Sequence, residues 1–140
     1  MDNPGALQLT QNGSAFPIVG PGTFIGDAIE GLEGMKSLSL QAQFLYGSGG
    51  ASVLAYIQTS LDQGQTWFDI AALQFETSSG TQIINLSADD ANTTPFTPSQ
   101  QSLPAGTCIN GVLGDRLRAV VVVTGTYGAS SLLNLAGCAR

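Results

Sequence analysis

Lys36-Ser37-Leu38-Ser39-Leu40-Gln41-Ala42-Gln43-Phe44-Leu45-Tyr46 decides the fold class. Its even positions, Leu38, Leu40, Ala42, Phe44 and Tyr46, are apolar. Ser37, Ser39, Gln41 and Gln43 between them are polar, and Leu45 is the exception. Side chains of a strand alternate between two faces, so this period predicts a strand with one face buried and one wet. Gly47-Ser48-Gly49-Gly50 turns the chain. Residues 51–61 repeat the alternation, with Val53, Ala55, Ile57 and Leu61 on one side. A third strand over 66–76 sets Phe68, Ile70 and Ala72 on one face, with Leu73 and Phe75 near its end. In a fourth, over 81–88, Ile84 and Leu86 alternate with Asn85 and Ser87.

Further along, residues 116–126 read as a strand whose Val120-Val121-Val122-Val123 is apolar on both faces, so it must be central or covered. Residues 129–139 close the chain. No segment carries a helical period, and short strands between Gly-rich turns indicate an all-β fold. The expected architecture is a single domain over 1–140, an antiparallel β-sandwich of jelly-roll or Ig-like type. Residues 1–35 are dense in Gly and Pro and read as an extended arm, with 22–30 either a strand or a piece lying on a partner. Residues 91–111 lack periodicity and carry Pro95, Pro98 and Pro104, which exclude an inner strand. A loop this long is usually functional or mobile. Prolines lower the entropy lost on docking, so Pro95, Phe96, Pro98 and Leu103 are candidate subunit contacts. Deleting 94–100 is expected to leave a folded monomer that no longer assembles.

The charge balance narrows function. Among 140 residues there are 4 Lys+Arg, 10 Asp+Glu and no His, a net charge of −6. Charged residues make up 10%, against about 25% in ordinary domains, so the polar surface is built from Ser, Thr, Gln, Asn and Gly. Such a surface suits a subunit packed against neighbours. An acidic chain with so few cations cannot neutralise a run of phosphates, so no nucleic-acid partner is expected. Lack of histidine removes Ser-His-Asp triads, Cys-His pairs and imidazole metal sites. The longest purely aliphatic run, 119–123, is far short of the ~20 residues of a membrane helix. The first residues show no secretory pattern, which predicts synthesis in a cytoplasm. Cys108 and Cys138 are expected to be two buried, inert thiols rather than a bridge.

The most specific local motif is Ser60-Leu61-Asp62-Gln63-Gly64-Gln65-Thr66-Trp67. It resembles the Asp-box hairpin of sialidases and other β proteins. The carboxylate accepts bonds from the turn's own N–H groups, Gly64 supplies positive φ, and Trp67 covers the turn. Ser60, Asp62, Gly64, Thr66 and Trp67 are therefore read as a structural turn. Asp62 with Asp69, or Asp89 with Asp90, are the conceivable glycosidase pairs. Neither pair contains an acid with an evident reason for a raised pKa. The expectation is no catalytic residue, no cofactor and no metal, the segment Asp89-Asp90-Ala91-Asn92 lacking a calcium loop's ligand spacing. Arg116 and Arg118 hold half of the chain's basic charge. They read either as exposed ion pairs or as a clamp between subunits.

Leu45-Tyr46-Gly47-Ser48-Gly49-Gly50, the Ile57 to Trp67 segment and Leu113-Gly114-Asp115-Arg116-Leu117-Arg118 together resemble small virion structural proteins of tailed bacteriophages. The likeness runs from about Gly34 to Ala139, with Gln63 standing where a glycine is expected. It implies a non-enzymatic β-sandwich in the virion, assembled in the host bacterial cytoplasm. The role it suggests is a capsid decoration (cement) protein bound to the major capsid protein or other virion subunits. A tail or head–tail junction component is the alternative, a carbohydrate-binding module a third reading, and self-association is compatible with each.

Overall fold

The alternation of 36–46 becomes β4 (Ser37–Leu45), in which Leu38, Leu40, Ala42 and Phe44 are buried and Ser39, Gln41, Gln43 and Leu45 are exposed. The computed structural model describes residues 5–140. Before β4 come β1 (Gly5–Leu9), β2 (Phe16–Pro17) and β3 (Gly22–Ile25). After it follow β5 (Ser48–Gly49), β6 (Ser52–Thr59), β7 (Phe68–Phe75), β8 (Gly80–Ser87), β9 (Leu117–Thr124), β10 (Tyr127–Gly128) and β11 (Leu132–Ala139). The described residues contain no helix.

Every pairing is antiparallel. One sheet has the order β1-β11-β4-β8, with β2 continuing along the edge of β11 that β1 occupies. The other has the order β3-β9-β6-β7. A short ribbon of β5 and β10 ties together the turns that leave β4 and β9. Inward residues of both sheets share one apolar cluster: Leu38, Leu40 and Phe44 from β4, Leu133 and Leu135 from β11, Val53 and Ile57 from β6, and Val121 and Val123 from β9. Each fully buried Leu, Ile, Val or Phe contributes roughly 1.5–3 kcal/mol.

Val120 to Val123 lie in β9, an inner strand, as their two-faced apolar pattern requires. The third strand departs from simple alternation. Ile57 pairs with Ala71 and Gln58 with Asp69, leaving Ile70 as an extra residue in a β-bulge. Ile70 and Ala71 therefore both join the core, and Ala72 turns to the outer face rather than sharing a face with Ile70. Leu61 lies beyond the end of β6 and is 67% exposed, not on its buried side.

From Gly5 onward the expected arm is part of the body, and residues 1–4 lie outside the described residues. β1 and β3 are paired strands, Phe16, Ile18, Leu32 and Met35 are buried, and Ile29 pairs with Leu117. The glycines and prolines set the turns between these pieces. Gly26 instead permits a close approach of chains, since a Cβ there would lie 2.8 Å from the Thr10 carbonyl oxygen and 2.9 Å from that of Ala119. The expectation of buried thiols is also corrected. Cys108 is exposed beside Ala71 of the second sheet, and Cys138 is half-buried opposite Ser39 of the first; both are free.

Candidate functional site

Turn chemistry organises the connection from β6 to β7. The Ser60 hydroxyl donates to Asp62 Oδ1 (2.8 Å) and accepts the Gly64 N–H (2.8 Å). Asp62 also accepts the Thr66 N–H (2.8 Å) and hydroxyl (2.6 Å), and Trp67 Nε1 donates to the Gly64 carbonyl (3.1 Å). Led by the Thr66 hydroxyl, these donors hold the Asp62 carboxyl below the usual range, at about 2. Gly64 has φ 88°, and Gln63 has φ 60°, the left-handed conformation a glycine would adopt more readily.

The two arginines join this hairpin. Arg116 pairs with Glu30 (2.7 Å) and Asp115 (3.2 Å), and its side chain passes beside Gly64. Arg118 lies over the Trp67 ring, 4.5 Å from its centroid, and its Nε donates to Gln58 Oε1 (2.9 Å). Both guanidinium groups are thus engaged within the chain. Thr59 extends the connection: its hydroxyl donates to the Arg116 carbonyl and accepts the Gly114 N–H, both at 2.9 Å. Gly114 is required there, since a Cβ would sit 1.9 Å from the Ser60 carbonyl oxygen.

Asp69, which the sequence offers only as half of an acidic pair, governs the long loop together with Gln58, which no motif marks. Gln58 and Asp69 are opposed at the bulge and buried. Asp69 accepts Gln58 Nε2 (2.9 Å), the Ser99 hydroxyl (3.3 Å), and the N–H groups of Gln101 (2.9 Å), Ser102 (3.0 Å) and Leu103 (3.1 Å). A fully buried carboxylate needs this many donors to replace its water. Each interrupts an apolar run, Gln58 after Val53 to Ile57 and Asp69 before Ile70 to Leu73, which is the signal that would have found them.

Held this way, residues 99–109 form a cover on the second sheet, and 91–98 run exposed beside it. Leu103 packs on the outward cluster of Tyr56, Ala72 and Val120. Thr107, Gly106 and Ile109 exchange backbone hydrogen bonds with Ala72 and Ile70 along the outer edge of β7. Pro95, Phe96, Leu103, Pro104, Cys108 and Ile109 contribute to an open hollow of about 640 Å³, and Pro98 is exposed nearby. Phe96 is 42% exposed.

Of the conceivable acidic pairs, Asp62 is occupied by the hairpin and Asp69 by the loop. Asp89 and Asp90 sit in the turn after β8, where Asn110 Nδ2 donates to Asp90. Among the described residues, no three Cys, Asp or Glu side chains are grouped so as to hold a metal ion, and no helix is long and apolar enough to cross a membrane. No protein-family model, no curated protein and no solved structure matches this chain.

Proposed function

We propose that this chain is a non-enzymatic structural subunit of a tailed-bacteriophage virion, a decoration (cement) protein that locks neighbouring major capsid subunits together on the head. The fold type we infer is a jelly-roll β-sandwich. Its support is the pairing of the eight long strands, numbered first to eighth along the chain. First pairs with eighth (β1 and β11), second with seventh (β3 and β9), third with sixth (β4 and β8), and fourth with fifth (β6 and β7). A long hairpin rolled on itself leaves these pairs. The fold occurs in viral capsid and lectin domains and does not assign a role by itself.

The observation that carries the reading is Phe96, exposed on the rim of a hollow whose wall is fastened from inside by Asp69. Phe96 sits between Pro95 and Pro98, which restrict its backbone, and next to a fastened wall, so docking it loses little further entropy and an exposed aromatic there is a ready anchor. The low content of charge supports a surface that co-assembles, and the net charge of −6 argues against a genome-facing role.

The test is Phe96→Glu, purified and mixed with particles lacking the protein. The expected result is an unchanged cooperative melt with loss of co-sedimentation. Wild-type occupancy would overturn the assignment of the anchor. The neighbours of the bound wild-type protein then locate it: copies spread over the outer shell support the head reading, and a ring around the tail axis supports the tail alternative.

A further inference from the structure

β8 closes one side of its sheet. The Ala88 N–H donates to the Lys36 carbonyl on the β4 side (2.7 Å), so in the unbroken register the backbone groups of the even residues Gln82, Ile84 and Leu86 point to Ala42, Leu40 and Leu38. The N–H and C=O groups of Thr81, Ile83, Asn85 and Ser87 consequently point away from the sheet. Ser87 is satisfied: its N–H donates to Asn110 Oδ1 (2.6 Å), and its carbonyl accepts the Gly111 N–H (2.8 Å). The corresponding groups of Thr81, Ile83 and Asn85 have no partner among the described residues. The Ile83 side chain is 70% exposed.

Proteins ordinarily blunt such an edge with charge, proline, a bulge or a covering segment. The strand Gly-Thr-Gln-Ile-Ile-Asn-Leu-Ser carries no charge and no proline, and it pairs with β4 without a break in register. The edge of β7 is covered by residues 106–109, whereas among the described residues β8 is covered only at Ser87.

We propose that β8 is a self-association edge, on which a second copy of this chain adds its own β8 antiparallel across a two-fold axis at Ile83. Ile83 then faces Ile83 of the second copy, and Thr81 faces Asn85 in both directions. This register uses all three free residues of each chain, leaves Ser87 to its existing partners, and makes the edge self-complementary. Two copies at −6 each repel, but the paired residues Thr81 to Asn85 and the adjoining Ser39, Gln41 and Gln43 of β4 carry no carboxylate; Glu76, Asp89 and Asp90 lie in the turns beyond them. The inference stands apart from the virion reading and can fail without it.

Sedimentation of the wild-type protein should show a concentration-dependent shift to twice the chain mass. Ile83→Lys places like charges opposite each other and should weaken association by at least about a hundredfold, with its melt retained because the side chain is exposed. Ile83→Glu should do the same, and an equimolar mixture of the two variants should associate again. In a Cys108→Ser, Cys138→Ser background, Ile83→Cys should form an interchain disulfide, since paired Cα atoms here lie about 5.5 Å apart. Thr81→Cys alone should not. A wild-type protein that stays monomeric up to about millimolar concentration, where even a weak complex would be seen, overturns the proposal. So does a dimer indifferent to Ile83→Lys, or one crosslinked equally through Thr81→Cys.

Discussion

On the sheet β3-β9-β6-β7 the outward residues Tyr56, Ala72 and Val120 lie buried beneath Leu103. On β1-β11-β4-β8 the outward residues Ser39, Gln41, Gln43 and Ile83 stand in solvent. The difference follows from composition. Outward Val, Tyr and Ala side chains need a cover, and the chain supplies one from residues 99–109 fastened by Asp69. Outward Ser and Gln keep their hydrogen bonds with water, so that face needs nothing until another molecule arrives. A capped face and a bare one thus serve different ends: the first carries a shaped hollow with Phe96 on its rim, the second ends in an edge open to pairing.

The comparison breaks most completely at Asp69. Asp69→Ala leaves the N–H groups of Gln101, Ser102 and Leu103 without their acceptor, and a loss of about 3 kcal/mol or more is expected in denaturant melts. Gln41→Ala on the bare face should stay within about 0.5 kcal/mol. An equal response at both positions would show that the cap contributes nothing. Leu103→Ala strips the cover without touching its anchor, and roughly 1–2 kcal/mol should be lost from half-buried apolar area. The deletion of 94–100 is sharpened likewise. It cuts through Ser99, whose hydroxyl reaches Asp69 and whose carbonyl accepts the Asp69 N–H. Removing 94–98 should keep the wild-type midpoint, and extending the cut to residue 100 should lower it.

Arg118→Ala removes both the stack on Trp67 and the donor to the buried Gln58 Oε1, for about 1–3 kcal/mol. Thermal melts alongside a Trp67 emission spectrum would register it. An unaltered spectrum would show that the ring is not covered in solution. A smaller effect is expected with pH. The folded Asp62 carboxyl titrates at about 2, below its unfolded value near 3.9. Its contribution is therefore fully present above the unfolded value and fades as pH falls toward 2. Asp62→Asn should flatten that part of the acid-unfolding profile; a parallel profile would mean that the carboxylate's charge does not organise the turn.

Local chemistry was legible at the level of single residues. The alternation from Lys36 to Tyr46 marks β4 and its buried face, because strand geometry sends successive side chains to opposite sides whatever the neighbours are. The segment from Ser60 to Trp67 likewise specifies its own turn, since all its partners lie within a few residues of one another. What was not legible depends on partners far along the chain. Gln58 and Asp69 meet because β6 and β7 slip by one residue at Ile70, and Asp69 finds its donors around residue 100. The stretch from Gly5 to Met35 looked like an arm because its glycines and prolines break local periodicity, while its burial comes from β11 and β9, about a hundred or more residues downstream.

By itself, then, the sequence determined the all-β class, the wet and buried sides of β4, the Asp62 turn and the scarcity of charge, each set within a few residues or by composition. In the tertiary structure, the pairing of distant strands lays residues 99–109 down as an anchored cap, stacks Arg118 on Trp67, and leaves the outer backbone groups of Thr81, Ile83 and Asn85 without partners among the described residues. Those outcomes depend on which strands become neighbours, and pairing is chosen by the burial of the whole chain at once.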